Sequence, residues 1–343
     1  SFGTGAATNS VEDLQQTDAV FLFGANPIKG HPVTGAKIKQ VFMKGVTSIV
    51  VDPIKTKLAE LATYHLQIRP GTNVAILNML CHYIITDNLV DQDFIKNHTE
   101  KYNEFKNHVE SLNMDELSIL TGVDKGLVKK AAFAYATAER AMEFHGLGVT
   151  EHFQGSKTVM LLSNLAMMTG NIGKNGVGLN PLRGQNNVQG AADMGVQPHQ
   201  GAGYMDINKP EIQQYYADKY GVDKMPEREG YKIPQMLDAA IEGKLKALYI
   251  MGEDTIMTDP NTNHSIKAFE NLDLIVVQEL FMTATTEMAD VVLPASSYFE
   301  KNGTFTNGER RVQRVNKVVE PIGNTKPDGQ IIIDIMNRLG YQQ

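Results

Sequence analysis

The chain has one cysteine and no apolar run long enough to cross a bilayer, and each shortage removes a class of explanation. One thiol, Cys81, can build neither a disulfide framework nor a cysteine-rich iron–sulfur or zinc site. It sits at helical spacing among the apolar residues of 77–85 and reads as a core residue of a protein kept in a reducing compartment. The longest apolar stretch, 74–85, falls short of the roughly 18–20 residues a membrane helix needs, so no membrane span is expected. A formal charge of −7 leaves no broad basic face, which argues against a nucleic-acid partner. The nine histidines form no His-x-x-x-His pair, so no metal ligands are expected from them. There is also no ATPase phosphate loop and no Gly-x-Gly-x-x-Gly after a strand, which disfavours a simple ATP or NAD enzyme.

What is present is an ordinary globular composition. The 343 residues, 42% hydrophobic and 21% charged, suffice for two core-forming domains. The first residues, Ser-Phe-Gly-Thr-Gly, carry neither an initiator methionine nor a signal pattern. The chain therefore reads as a piece of a longer polypeptide, with the cytoplasm as its expected location.

Two stretches alternate apolar runs with helical periodicity, the pattern of a parallel sheet covered on both faces. In the first, strands are expected at 19–23, 48–51, 65–68 and 141–145, with helices at 31–44, 55–62, 71–85 and 124–138. In the second, helices are expected at 211–220, 234–241, 264–271 and 328–339, and strands at 247–251, 274–277 and 289–293. Residues 304–306 and 311–315 suit a hairpin within an excursion over 298–326. Between the stretches, 170–203 holds nine glycines with clustered Asn and Gln, and reads as one long functional loop. The domain boundary is placed inside it, giving 1–184 and 185–343. The fold class is thus α/β, with two open, mostly parallel, doubly wound sheet domains.

In such sheets ligands bind beyond the carboxyl ends of the strands. Four expected strand ends are alike: Phe23-Gly24-Ala25-Asn26-Pro27, Val51-Asp52-Pro53, Met251-Gly252-Glu253-Asp254 and Val277-Gln278-Glu279. Glycine lets a bulky ligand approach the backbone, and a carboxylate there can accept two N–H bonds from a guanine edge or bond a ribose hydroxyl. One Asp-Pro after a strand is an ordinary turn; four such ends suggest a large nucleotide-like ligand. The densest motif is Gly146-Leu147-Gly148-Val149-Thr150, then Thr169-Gly170-Asn171-Ile172-Gly173-Lys174, then Pro181-Leu182-Arg183-Gly184-Gln185-Asn186-Asn187-Val188-Gln189-Gly190. Arg183 stands alone among uncharged neighbours, where a guanidinium can grip a carboxylate with two parallel N–H bonds. His145, His152 and His199, near these motifs, are read as structural, and the sixteen methionines, Met160, Met167 and Met168 among them, as core packing.

The run from Pro181 to Gly190, with Asp193-Met194-Gly195 after it, resembles the signature of molybdopterin-dependent formate dehydrogenase large subunits. So do Gly252-Glu253-Asp254, Val291-Val292-Leu293-Pro294-Ala295, and Lys301-Asn302-Gly303-Thr304-Phe305-Thr306-Asn307 followed by Glu309-Arg310-Arg311-Val312-Gln313. The resemblance runs over essentially the whole chain and implies the DMSO-reductase-like fold, with Mo or W held by two molybdopterin guanine dinucleotides, one on each α/β half. By position, Gly24, Asn26, Asp52, Pro53 and Gly71 match contacts to one cofactor. Leu147, Glu151, Gly252, Asp254, Thr258, Gln278, Glu279 and Asp328 match contacts to the other. Gln185 would lie near the metal-side pterin, and Arg183 matches the arginine that orients formate. The implied reaction is reversible oxidation of formate to CO2, with electrons passing to iron–sulfur, hydrogenase or NAD-linked subunits.

The family's metal-ligating cysteine or selenocysteine, its iron–sulfur segment and its C-terminal cap are expected outside this stretch. Lys29-Gly30 departs from the more polar or acidic pair of the pattern, and 196–203, with His199-Gln200, departs as well. A nitrate reductase or formylmethanofuran dehydrogenase is the alternative, as is a cofactor-binding module without catalysis of its own. Arginine at 183 favours the formate branch, because nitrate-type relatives tend to carry a small hydroxyl residue there.

Overall fold

Strand runs such as Ala-Val-Phe-Leu-Phe show no polar alternation, so both faces must be covered. The computed structural model describes residue 2 and residues 5–341. The chain forms two compact units: the first runs through Gln189 and includes Thr306–Arg311, and the second holds Gly190–Phe305 and the chain from Val312. The expected division, at 184/185, lies a little earlier in the sequence, and it left 306–311 with the second half.

The first unit is built from β1 (Ala19–Phe23), α1 (Pro32–Met43), β2 (Thr47–Val51), β3 (Tyr64–Leu66), α2 (Asn73–Thr86), α3 (Lys125–Ala136), β4 (Ala141–His145), α4 (Gly155–Met168) and β5 (Gly178–Pro181). The five strands are parallel, in the order β3-β2-β1-β4-β5, with Phe23 level with Val51 on one side and His145 on the other. Alternate residues feed two cores. Phe21, Phe23, Ile49 and Val51 pack with Ile76, Leu80, Val128 and Leu162, while Val20, Leu22, Val50 and Phe144 pack with Ile38 and Phe42. Local signals set the helix ends: Pro32 fills the first position of α1, and Asp124 caps α3 by accepting the Leu127 N–H at 3.0 Å. Cys81 is buried in the first of these cores. The chain leaves β1 toward β2 and β3, then returns to place β4 on β1's other side, so the strand order reverses between β1 and β4.

Two expectations need correction here. Residues 170–203 are not one loop: they contain β5 and a helix at Val188–Asp193. β5 holds its place because Leu179 is buried and the Asn180 amide donates to the Glu143 carbonyl at 3.1 Å, contacts that a four-residue segment beginning in Gly and ending in Pro does not advertise. The methionines divide as well: Met168 is buried, but Met160, Met194 and Met282 are well exposed.

The second unit holds α5 (Ile233–Ile241), β6 (Ala247–Met251), α6 (Thr262–Glu270), β7 (Leu274–Glu279), β8 (Val291–Pro294), β9 (Gly303–Thr306, its last residue counted with the first unit), β10 (Val312–Val315) and α7 (Asp328–Arg338). β8, β7 and β6 form a parallel sheet in that order, and β9 pairs with β10. Leu237, Ala240, Ile250, Phe269, Ile275 and Val277 make its core on one face. On the other, Tyr249, Met251 and Leu274 are partly open. β7 runs on to Glu279, so Gln278 and Glu279 are strand residues rather than part of a loop beyond it. Among the described residues, no helix is long and apolar enough to cross a membrane.

Candidate functional site

The reversal of strand order leaves a crevice where the loops after β1 and β4 diverge, and the backbone there is tightly drawn. Gly24 follows β1 with φ +55°, and a Cβ on it would lie 2.7 Å from the Gly148 carbonyl carbon. Gly148 N–H donates to Gly24 O at 3.0 Å, and the Asn73 amide donates to Gly148 O at 2.9 Å. Two loops and the start of α2 are thereby fixed together.

A cavity of about 210 Å³ opens at these strand ends, lined by Gly24, Asn26, Asp52, Pro53, Gly71 and His152 among others. Five of these six were singled out from sequence alone. Asp52 is buried; Oδ1 accepts the Ile54 N–H at 2.8 Å, and desolvation raises its carboxyl above the ordinary value. Gly71 has φ +85° with nothing within 4 Å of where a Cβ would lie, so its backbone stays open to approach.

A second cavity, about 330 Å³, lies against β4 and β5, lined by His145, Leu147, Arg183 and Gln185 between apolar walls that include Val159 and Leu179. Arg183 and Gln185 also line a third, about 440 Å³, with His31, Asn180, Asn307 and Glu309. Arg183 is half-buried. Its Nε donates to Gly5 O at 3.1 Å, and its carbonyl lies in hydrogen-bond contact with His31 Nε2. A Cβ at residue 5 would fall 2.0 Å from Arg183 Nη2, so glycine there lets the guanidinium lie where it does. The amide of Asn187 is engaged locally: its Oδ1 accepts the Thr306 N–H at 2.9 Å.

β4 carries two buried ionisable groups on one face. Glu143, hydrogen-bonded by the Tyr135 hydroxyl, has its carboxyl pushed up to about 8 by burial. His145, also buried, is pushed down to about 4 by the same desolvation, and among the described residues its Nδ1 has no hydrogen-bond partner. Sequence reasoning placed His145 and His152 among structural residues, yet both line cavities. The available signal was position: His145 is the last strand residue before Gly146, and His152 follows the same glycine-rich turn.

The second unit gathers its singled-out residues at its own strand ends. Gly252 N–H donates to Gln278 O at 3.0 Å. Asp254 Oδ1 accepts both the N–H (3.1 Å) and the hydroxyl (2.7 Å) of Thr285. Gln278 is fully buried, bonded by Tyr249 and donating to Asp328 at 2.7 Å, while Lys301 pairs with Asp328. Glu279 Oε1 accepts the Leu280 N–H at 2.6 Å, and the Thr258 hydroxyl donates to Asp254 O at 3.1 Å. Glu151 lies exposed just past the short helix Leu147–Thr150 and does not line the cavity that holds Leu147. Among the described residues, no group of three or more His, Cys, Asp or Glu side chains is placed to hold a metal ion.

The sequence pattern of a family described as "Molybdopterin oxidoreductase" matches residues 2–338. Formate dehydrogenase H of Escherichia coli K12 is 42% identical over 341 residues, covering 99% of this chain and 48% of that protein. The F420-dependent formate dehydrogenase subunit alpha of Methanocaldococcus jannaschii is 45% identical over 341 residues, 99% of this chain and 50% of that one. The chain thus spans about half the length of the curated relatives it matches. Among solved structures, acetylene hydratase from Pelobacter acetylenicus matches with a TM-score of 0.79 at 23% identity, over 98% of this chain and 49% of that one, a likeness of fold alone.

Proposed function

Since the chain belongs to the molybdopterin oxidoreductase family, we propose that it forms the cofactor-binding core of a formate dehydrogenase catalytic subunit, which oxidises formate reversibly to CO2. The cofactor we assign is Mo or W with two molybdopterin guanine dinucleotides. The strand-end cavity of the first unit suits such a group. Gly24 and Gly71 leave backbone approachable, and Asp52 Oδ2 has no hydrogen-bond partner among the described residues, leaving an acceptor for a base or ribose edge. In this reading Asn26 and Pro53 complete that cradle, and Leu147, Glu151, Gly252, Asp254, Thr258, Gln278, Glu279 and Asp328 serve the second dinucleotide. When bound, the group supplies the two-electron redox chemistry.

This chain's own contribution is orientation and electrostatics. Arg183 would meet the formate carboxylate with paired N–H bonds, and apolar walls such as Val159 and Leu179 would keep water from weakening that pairing. Gln185 offers amide donors and an acceptor beside it. Electrons would leave through an iron–sulfur relay, which the single cysteine here cannot build, toward iron–sulfur, hydrogenase or NAD-linked subunits.

One observation carries the reading: a half-buried guanidinium at the end of β5, in an apolar-walled cavity beside the reversal of strand order. In the full catalytic subunit, Arg183→Ala is expected to lower formate kcat/KM by roughly 30- to 3,000-fold, the loss of one half-buried, charge-assisted pairing. Metal and pterin content should stay at the parental level. Unchanged turnover per metal, or loss of cofactor in proportion to activity, would remove Arg183 from this role.

A further inference from the structure

We propose that His145 is a second substrate-binding residue of the Arg183 cavity, donating an imidazole N–H to the same small carboxylate. The inference rests on the formate reading above and deepens it. Both residues line the 330 Å³ cavity, and one strand pair sets both. His145, the last residue of β4, is level with Pro181 on β5. Leu182 N–H donates to the His145 carbonyl at 2.7 Å, and Arg183 is the next residue. The two groups therefore hang from adjacent, hydrogen-bonded strand ends rather than from separate loops, the rigid placement that recognition of a small ligand requires.

His145 is only 3% exposed, yet its Nδ1 has no hydrogen-bond partner among the described residues. Folded proteins rarely leave a buried side-chain nitrogen unpaired, and such exceptions call for an explanation. Ring packing alone would be met by phenylalanine, which brings no polar atom to be left unsatisfied.

The charge balance suits a monoanion. Desolvation keeps the imidazole neutral near pH 7, so it brings an N–H without a second positive charge. Glu143, on the same face of β4, holds its proton below about pH 8 and sets no negative charge against the carboxylate. Its near partner, Tyr135, has a hydroxyl raised well above its usual range by burial, and is likewise neutral. Arg183 then supplies the charge and His145 a second direction of contact.

The test uses the cofactor-loaded catalytic subunit with His145→Phe, which keeps the ring, and His145→Asn, whose amide nitrogen stands close to the Nδ1 position. With His145→Phe the formate KM should rise roughly tenfold or more, the worth of one hydrogen bond to a charged group, while kcat stays within about threefold. Metal and pterin content should be parental, and His145→Asn should recover most of the lost affinity. Parental KM in both variants would overturn the proposal, as would equal impairment of both. Cofactor loss in both would overturn it too, by making His145 a support of the fold or of the cofactor. If Arg183→Ala disables formate turnover while His145→Phe leaves KM unchanged, only this inference fails. A parent enzyme inactive on formate would take the functional reading down with it.

Discussion

Exchanging Glu143 for Gln isolates the most unusual group in the first unit's core. Glu143 is 1% exposed; Tyr135 hydrogen-bonds Oε1, and Oε2 is unpartnered among the described residues. Burial moves its pKa from 4.5 to about 8. Between those values the unfolded chain has released the proton and the folded chain keeps it, so stability falls as pH rises through the window. Below 4.5 both states hold the proton and above 8 neither does, so the contribution is flat on either side. At about 1.4 kcal/mol per unit, the full shift amounts to about 5 kcal/mol. Glutamine keeps the shape and the acceptor for Tyr135 but never ionises. The stability of Glu143→Gln relative to the parent should therefore grow by about 1.4 kcal/mol per pH unit from pH 5 to pH 8, whatever constant offset the amide adds. Cys81 provides the assay, because it is the chain's only thiol and is buried in the core that Tyr135 joins. Its labelling rate across a urea series, with an unfolded control at each pH, reports the opening of that core. A difference between the two proteins that did not change with pH would refute the argument.

Two further substitutions probe the strand ends. Gly24→Ala forces a Cβ to 2.7 Å from the Gly148 carbonyl carbon at φ +55°, and should destabilise the first unit by about 2–4 kcal/mol in urea unfolding; a parental midpoint would contradict the contact. Asp254→Ala removes the acceptor for two Thr285 donors and should weaken the second unit by about 1–3 kcal/mol. Asp254→Asn, which keeps one oxygen, should recover most of that loss by thermal melting, and equal losses in the two variants would count against the hydrogen bonds as the cause.

Much of this architecture was legible because its causes are local. The run Ala-Val-Phe-Leu-Phe is apolar at every position because β1 is covered on both faces, and Asp124 announces α3 through a cap its own side chain makes. β5 was not legible: its four residues are held by the buried Leu179 and by the Asn180–Glu143 contact, which join segments far apart in sequence. α4 was left without bounds, because its glycine-rich approach dominated the reading of that region, although Met160, Met167 and Met168 already read as helix residues. The strand-end residues Gly24, Asn26, Asp52, Pro53 and Gly71 meet in one cavity because parallel strands deliver their carboxyl ends to a common edge, a rule that sequence pattern can invoke. His145 escaped because a histidine closing an apolar run looks the same whether it is packed or presented to a cavity. Gln278 was singled out, but as a residue beyond its strand: the strand extends two residues past the apolar run, and the amide is engaged by Tyr249 and Asp328, a partner fifty positions on.

The turn after β4 gives neighbouring residues to different chambers: Leu147 lines the cavity of Arg183, while Gly148 lines the cavity of Asp52. The backbone of Gly148 is thus a party wall, its N–H bolted to Gly24 and its carbonyl to Asn73. Redesign that widens one room must borrow from the other or break those bolts. On that shared side the size of either room is set by the masonry of the backbone, while exchanging side chains such as Val159 or Leu179 moves only the other walls.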